Sequence, residues 1–221
     1  MAKIKKFVHE WVWLLLVAFC ITGLVYPAIG IVALACMLAP VIVAAGRGRM
    51  WCGNFCPRGS LNDNLLSKIS WKKEIPYTFK KRWFKISFLT FLMGAFTLQL
   101  VLAWGSWVVT GLVFVRMVLL TTALAVVLGV VFNSRTWCVI CPMGTIAHYV
   151  TRLAAQAAGG SGIKYVTFEQ EKCVDCNSCS RACPLEIDVL SYKKLGKVSN
   201  ADCLKCETCI AHCPKKSLYI A

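Results

Sequence analysis

The stretch RMWCGNFCPRGS, Arg49 to Ser60, sets two cysteines between a tryptophan and a proline, directly after a long run without charge. A second stretch, SRTWCVICPMGT from Ser134 to Thr145, repeats it. Aligned with one gap, Arg49, Trp51, Cys52, Cys56, Pro57 and Gly59 match Arg135, Trp137, Cys138, Cys141, Pro142 and Gly144. Ser60-Leu61 likewise matches Thr145-Ile146. Such a repeat predicts a duplicated unit, and the residues before each copy say what the unit is.

Trp11 to Gly46 is a run of 36 residues without charge, and Ile86 to Val115 is a run of 30. A bilayer crossing takes roughly 20 apolar residues, so each run is too long for one ordinary helix. Turn residues divide the region into two pairs: 11–26 with 29–46, turning at Tyr26-Pro27, and 84–104 with 108–132, turning at Gly105-Ser106. Trp11, Trp13, Trp83, Trp104 and Trp107 fall near the predicted interfaces, where an aromatic belt belongs. A mean hydropathy of +0.64 and 58% hydrophobic residues exceed the needs of a soluble core. The first apolar run is too long for a signal peptide, and no cleavage site precedes a polar start.

Charge then sets orientation. Residues 1–162 carry 16 Lys and Arg against 3 Asp and Glu, and residues 163–221 carry 9 against 7. Apart from Arg116, the 16 lie at the N-terminus, in 47–85, and from Arg135 onward. The positive-inside rule places all three groups on the cytoplasmic face, so the chain should cross four times with both ends inside. The same topology accounts for the basic excess through lipid headgroups, and no nucleic-acid partner is expected.

The last sixty residues carry the most specific signal. Cys173, Cys176, Cys179 and Cys183 read CVDCNSCSRACP, and Cys203, Cys206, Cys209 and Cys213 read CLKCETCIAHCP. Both fit C-x2-C-x2-C-x3-C-P, the run of bacterial two-cluster ferredoxins, whose fourth cysteine ligates the other cluster. The predicted ligand sets are Cys173, Cys176, Cys179 with Cys213, and Cys203, Cys206, Cys209 with Cys183, each holding a [4Fe–4S] cluster. A zinc ribbon would use only paired C-x2-C and leave the two Cys-Pro positions idle. The expected organisation is therefore a four-helix transmembrane domain of two repeated hairpins (1–158), a Gly-rich linker (159–162) and a small α+β two-cluster ferredoxin domain (163–221).

Four more cysteines, Cys52, Cys56, Cys138 and Cys141, should meet at the membrane surface if the two halves pack with two-fold symmetry. Thiols in a reducing compartment favour metal over disulfides, and four suit a third iron–sulfur centre, either [4Fe–4S] or [2Fe–2S]. The alternatives are redox-active dithiols, or helix ends shaped by proline and glycine alone.

Four helices, two Cys-Pro motifs and a C-terminal two-cluster run together resemble the polyferredoxin membrane proteins of the NapH, NosR and CcoG type. The second motif departs from that family's C-x3-C-P by one residue. The resemblance implies quinol oxidation or electron delivery to a partner, hence an oxidoreductase-complex subunit working with other subunits in the bacterial or archaeal cytoplasmic membrane. A maturation or metal-handling reductase of the CcoG type is the alternative, and a simple membrane-anchored ferredoxin a further one.

Candidate quinone or partner contacts are few. Arg116 is the one charge inside a predicted span, about 13 Å deep at 1.5 Å per residue. His9, Glu10 and His148 stand near the inner surface as proton acceptors. Cys20 and Cys36 sit alone in apolar helices, where cysteine behaves as a small hydrophobe. No GxGxxG or Walker loop is present, so a flavin or nicotinamide would belong to a partner.

Overall fold

The computed structural model describes residues 2–157 and 163–221. Four helices in it are long and apolar enough to cross a membrane: Phe7–Val25, Pro27–Arg47, Arg82–Leu102 and Trp107–Val131. Their outer surfaces expose Leu24, Ile42, Phe91, Leu98 and Leu102, side chains that only an apolar solvent would receive. Trp104 and Trp107, 90% and 79% exposed, flank the turn between the last two helices. Ser106 caps the longer one by accepting from the Val109 amide at 3.5 Å.

Proline explains the first turn. Pro27 lacks an amide proton and fixes its own φ, so the Trp13–Val25 helix stops before Tyr26, which adopts φ −123° and ψ 82°. The chain resumes as a tight 3-10 turn, Pro27–Val32, and relaxes into an α-helix at Ala33–Arg47. That turn crosses the Trp107–Val131 helix at glycine. A Cβ on Gly30 would strike the Gly111 carbonyl, and one on Gly111 would strike the Pro27 carbonyl. Two glycines thus let backbone meet backbone where the two hairpins pack.

Each cysteine motif folds as a kinked pair of helices at the end of a long one. Met50–Asn54 is followed by Pro57–Leu61, and Thr136–Ile140 by Pro142–Ala157. The prolines occupy the first helical position, where a missing amide proton costs nothing. Cys56 and Cys141 are therefore held extended at the kinks, with ψ of 120° and 126°.

The C-terminal unit contains strand β1 (Val166–Phe168) antiparallel to β2 (Leu218–Ile220), paired Val166 to Ile220 and Phe168 to Leu218. Its cysteine loops lead into two four-residue helices, Ser178–Arg181 and Thr208–Ala211. Among the described residues this is the only sheet, and the unit is otherwise loops and short helical turns. The predicted linker, 159–162, lies outside the described residues.

The unit carries its own repeat in the backbone. Asp175 and Asn177 have positive φ, as do Lys205 and Glu207 at the same offsets in the second run, and Glu186 pairs in this way with Lys216. A left-handed conformation costs a non-glycine residue about 1 kcal/mol. Six such residues at matched positions mark loops bent to aim thiols inward.

Candidate iron–sulfur centres

Two cavities are walled by these loops. Cys203, Cys206, Cys209 and Cys183 line one, with Leu185, Leu204 and Lys205. Cys173, Cys176, Cys179 and Cys213 line the other, with Phe168, Leu190 and Leu218. Each holds three thiols of one run and the fourth of the other. Among the described residues no three His, Cys, Asp or Glu close on a single metal ion. Four soft donors around an apolar cavity fit a [4Fe–4S] group.

Protonation bears on loading. Burial pushes Cys203 up to about 11. Burial and then the neighbouring Cys203, Cys206 and Cys183 push Cys209 up to about 12. Such thiols are neutral at pH 7 until a metal displaces their protons. The opposite shift holds Cys176 below the ordinary thiol range, through the Ser178 hydroxyl and amide.

The two sets differ in position. Cys183 and Cys206 pack on an apolar cluster of Trp137, Cys138, Val139, Ile140, Leu185 and Leu204, which Cys52 and Cys141 also touch. This set is proximal to the helical domain. The other is distal, and its Cys176 is exposed. At the junction a Cβ on Gly53 would strike the Leu204 carbonyl, so backbone again meets backbone. Asn54 Nδ2 donates to the Lys205 carbonyl at 3.3 Å.

The twin motifs are closed by reciprocal arginines. Arg49 Nη2 donates to the Cys138 carbonyl at 2.7 Å, and Arg135 Nη1 to the Cys52 carbonyl at 3.1 Å. Each guanidinium lies on the glycine of the opposite motif. A Cβ on Gly59 would stand 2.9 Å from Arg135 Nη1, and one on Gly144 would stand 3.1 Å from Arg49 Cζ. Arg135 also brings Nη1 to 3.6 Å from the Cys138 sulfur.

Carboxylates hold both arginines from the far side. Asp63 accepts from Arg135 Nε at 2.6 Å and from Nη2 at 2.5 Å. Burial alone would raise the Asp63 carboxyl, but Arg135 and His9 outweigh it and bring it to about 2. The repeat puts His148 where Asp63 stands in the first copy, and the missing carboxylate comes from the C-terminal unit. Asp202 accepts from Arg49 at 2.9 Å and Lys85 at 2.9 Å, with His148 Nδ1 at 3.0 Å. Despite burial, those partners hold Asp202 far below the usual carboxylate range.

Cys52, Cys138 and Cys141 share one apolar cluster. Burial raises the Cys56 thiol, and neighbouring Cys52, Cys36 and Cys138 raise it further. Burial raises Cys52, while the Arg49 guanidinium beside it pulls the other way. Arg49 Nε and the indole nitrogens of Trp51 and Trp137, which directly precede Cys52 and Cys138, are buried without an acceptor. All three are donors only. A thiolate-bound iron–sulfur cluster is a collection of acceptors, so the orphaned donors and the donor set fit one.

The remaining candidates fare differently. His9 pairs with Asp63 at 2.9 Å and His148 with Asp202, so both belong to the arginine clasps. Glu10 is exposed. Arg116 is exposed too, with no hydrogen-bond partner among the described residues. A different arginine reaches membrane depth. Arg58, in a segment read as surface, turns inward and donates to Thr121 Oγ1 at 2.9 Å and Thr122 Oγ1 at 3.1 Å, over the Trp137 ring. Arg49, Arg135 and Asp202 were legible only as repeat positions or as surface charge. The one available signal was the Asp63–His148 mismatch between copies.

Residues 29–76 and 115–159 match the family described as 4Fe-4S binding domain, and residues 172–218 the 4Fe-4S dicluster domain. The chain carries two 4Fe–4S ferredoxin-type domains. The first match spans both twin motifs, and the second spans both C-x2-C-x2-C-x3-C-P runs. Among curated proteins, "Uncharacterized protein MJ0749" of Methanocaldococcus jannaschii is 26% identical over 182 residues, covering 80% of this chain and 66% of that protein. "Putative electron transport protein YccM" of Escherichia coli (strain K12) is 33% identical over 87 residues, covering 39% of this chain and 21% of that protein. The chain thus spans less than two thirds of either relative. No solved structure matches it.

Proposed function

We propose that this chain is a membrane-embedded iron–sulfur electron-transfer subunit, moving single electrons between the quinone pool or a membrane partner and a redox partner on the cytoplasmic side. The observation that carries the reading is the alignment of three thiol groups. Cys52, Cys138 and Cys141 of the twin motifs share one apolar cluster with Cys183 and Cys206 of the proximal set, and the distal set ends at the exposed Cys176. The 4Fe–4S family matches support it, as does the electron-transport name of the Escherichia coli relative.

The bound clusters would supply one-electron storage; the polypeptide supplies spacing, dryness and register. Leu185, Leu204 and Trp137 keep water out of the junction. Register comes from acidic residues of the C-terminal unit meeting bases of the helical domain. Glu186 meets Lys80 at 2.6 Å, Glu207 meets Lys5 at 3.2 Å, and Asp202 meets Arg49. Partly exposed pairs contribute little each, whereas the Arg49 side chain is 1% exposed, so losing its Asp202 partner would leave a buried charge unpaired.

Those bases lie on the face that carries the C-terminal unit. By the positive-inside rule that face is cytoplasmic, which supports both termini and all three centres inside a bacterial or archaeal cytoplasmic membrane. Lipid and the other subunits of a redox complex are the expected surroundings. Of the charges available to a quinone headgroup, Arg58 is better placed than Arg116, because it turns inward over the Trp137 ring, next to Cys138 in the chain, whereas Arg116 is exposed.

The deciding experiment is iron and acid-labile sulfide per chain, on protein purified without oxygen, for wild type and Cys52→Ser. The C-terminal sets account for about 8 iron atoms, and a third centre brings about 10 to 12. An excess lost in the variant, with bleaching of all centres by quinol, supports the reading. About 8 in both proteins, with no response to quinol, removes it in favour of a metal-handling thiol motif or a simple anchor.

A further inference from the structure

The three thiol groups differ in the charge packed against them. The distal set is met by hydroxyls, Ser178 on Cys176 at 3.4 Å and Ser217 on Cys213 at 3.3 Å. Its neighbouring lysine, Lys193, is paired with Asp175 at 2.7 Å, and the Arg181 guanidinium that donates to the Cys176 carbonyl at 3.1 Å is exposed, so solvent screens it. The proximal set is met by the Thr208 hydroxyl on Cys206 at 3.2 Å and by one buried amine, Lys205, which is 5% exposed and has no acceptor for Nζ. The twin-motif group is met by two guanidiniums whose side chains are 1% and 0% exposed.

The geometry of those guanidiniums gives the charge a direction. Arg135 turns Nη1 toward the Cys138 sulfur and binds Asp63 through Nε and Nη2, its opposite edge. Arg49 bridges Asp202 through Nη1 and the Cys138 carbonyl through Nη2. The positive groups therefore lie nearest the thiols. The carboxylates lie behind them and nearer water, 36% and 22% exposed, where solvent weakens their field.

Reduction adds one negative charge to a thiolate-bound cluster. A buried cation in contact stabilises the reduced form, and hydrogen bonds to the sulfurs act the same way. Burial without cations acts oppositely, because it penalises the more highly charged state. On burial alone the exposed distal centre would be the easiest to reduce; on contacting cations the order inverts.

We propose that Arg49 and Arg135 make the twin-motif centre the most oxidising of the three, with the proximal centre next and the distal centre lowest. A single electron shared by the chain then resides, at equilibrium, beside the membrane. Only its distribution over three sites changes, with no bond made or broken. The proposal rests on the reading of Cys52, Cys56, Cys138 and Cys141 as a third iron–sulfur centre.

The test is a redox titration followed by electron paramagnetic resonance, on anaerobic wild type, Arg135→Met, Arg135→Lys and Arg49→Met, with iron counted in each. Signals of the third centre are those absent from Cys52→Ser. The expected wild-type order is twin motif above proximal above distal. Arg135→Met should lower the reduced-to-oxidised ratio of the third centre at least tenfold at fixed potential, equivalent to about 59 mV for one electron. The distal centre should stay in place, and Arg135→Lys should recover most of the shift. A third centre that titrates lowest in wild type, or Met variants that retain it unshifted, would overturn the proposal. Should both Met variants lose the centre, the wild-type order and the Lys variant still decide. About 8 iron atoms in wild type would instead remove the underlying reading, and the proposal with it.

Discussion

Arg49 closes the motif of Cys138 and Arg135 closes the motif of Cys52, each by donating to the cysteine carbonyl, at 2.7 Å and 3.1 Å. The exchange ties the duplicated halves together at the twin cysteine motifs, and it accounts for two of the residues that recur in both copies, the arginine and the glycine. Arginine supplies a planar fork able to grip a carbonyl and a carboxylate at once. Glycine at Gly59 and Gly144 leaves room for that fork. The copies diverge at Asp63 and His148, and there Asp202 enters from the C-terminal unit.

Replacing either glycine should therefore act on the thiol group and not on the C-terminal unit. A Cβ at Gly59 would stand 2.9 Å from both Arg135 Nη1 and the Cys52 carbonyl. Overpacking of this kind costs about 1–3 kcal/mol. Gly59→Ala and Gly144→Ala are expected to lower the iron count from about 10 to 12 toward about 8 while retaining the signals of the two C-terminal centres. Metal analysis with spectroscopy on both variants checks this.

Asp202→Asn should loosen the docking of the C-terminal unit. It leaves Arg49, Lys85 and His148 without their shared carboxylate. Breaking a largely buried pair from one side costs about 3–5 kcal/mol. Iron content is expected to stay at the wild-type value, while quinol-driven reduction of the two C-terminal centres slows at least tenfold. Stopped-flow absorbance would show whether the rate falls; an unchanged rate would mean that Asp202 does not set the register.

Arg58→Met should be tolerated by the fold. The second copy already has methionine here, at Met143. Thr121, which accepts from Arg58, also donates to the Met117 carbonyl at 2.7 Å, so its hydroxyl keeps a partner. The substitution keeps most of the packing and relieves a costly charge at membrane depth. Thermal unfolding in detergent is expected to match wild type or exceed it slightly. A loss larger than about 2 kcal/mol would point to a structural need for the guanidinium.

The Arg135–Asp63 clasp should be insensitive to mild acid. The Asp63 carboxyl is brought to about 2, below its ordinary value of 3.8. A depressed folded-state value means that the stabilisation is fully present above pH 3.8 and is lost as pH falls through about 2. In metal-free protein, the difference in unfolding temperature between wild type and Asp63→Asn is expected to stay constant from pH 7 to about 4, then shrink toward pH 2. A difference that already shrinks well above pH 4 would mean that Arg135 does not hold the Asp63 carboxyl down.

Much of this could be read from the chain by itself, because the signals are local and periodic. Uncharged runs have lengths set by bilayer thickness, Pro27 and Gly105 break them, and C-x2-C-x2-C-x3-C-P spacing encodes how a short loop wraps a cube. The twin motifs were visible as a repeat, and with them the suggestion that four thiols converge. The tertiary structure alone decided which cysteine set faces the helical domain and which faces solvent. It decided that the arginines cross between halves, that Arg58 points inward, and that Asp202 completes a clasp 153 residues from its partner. Contacts of that kind have no sequence period: a charged side chain reads as solvated surface until the fold shows what lies opposite it.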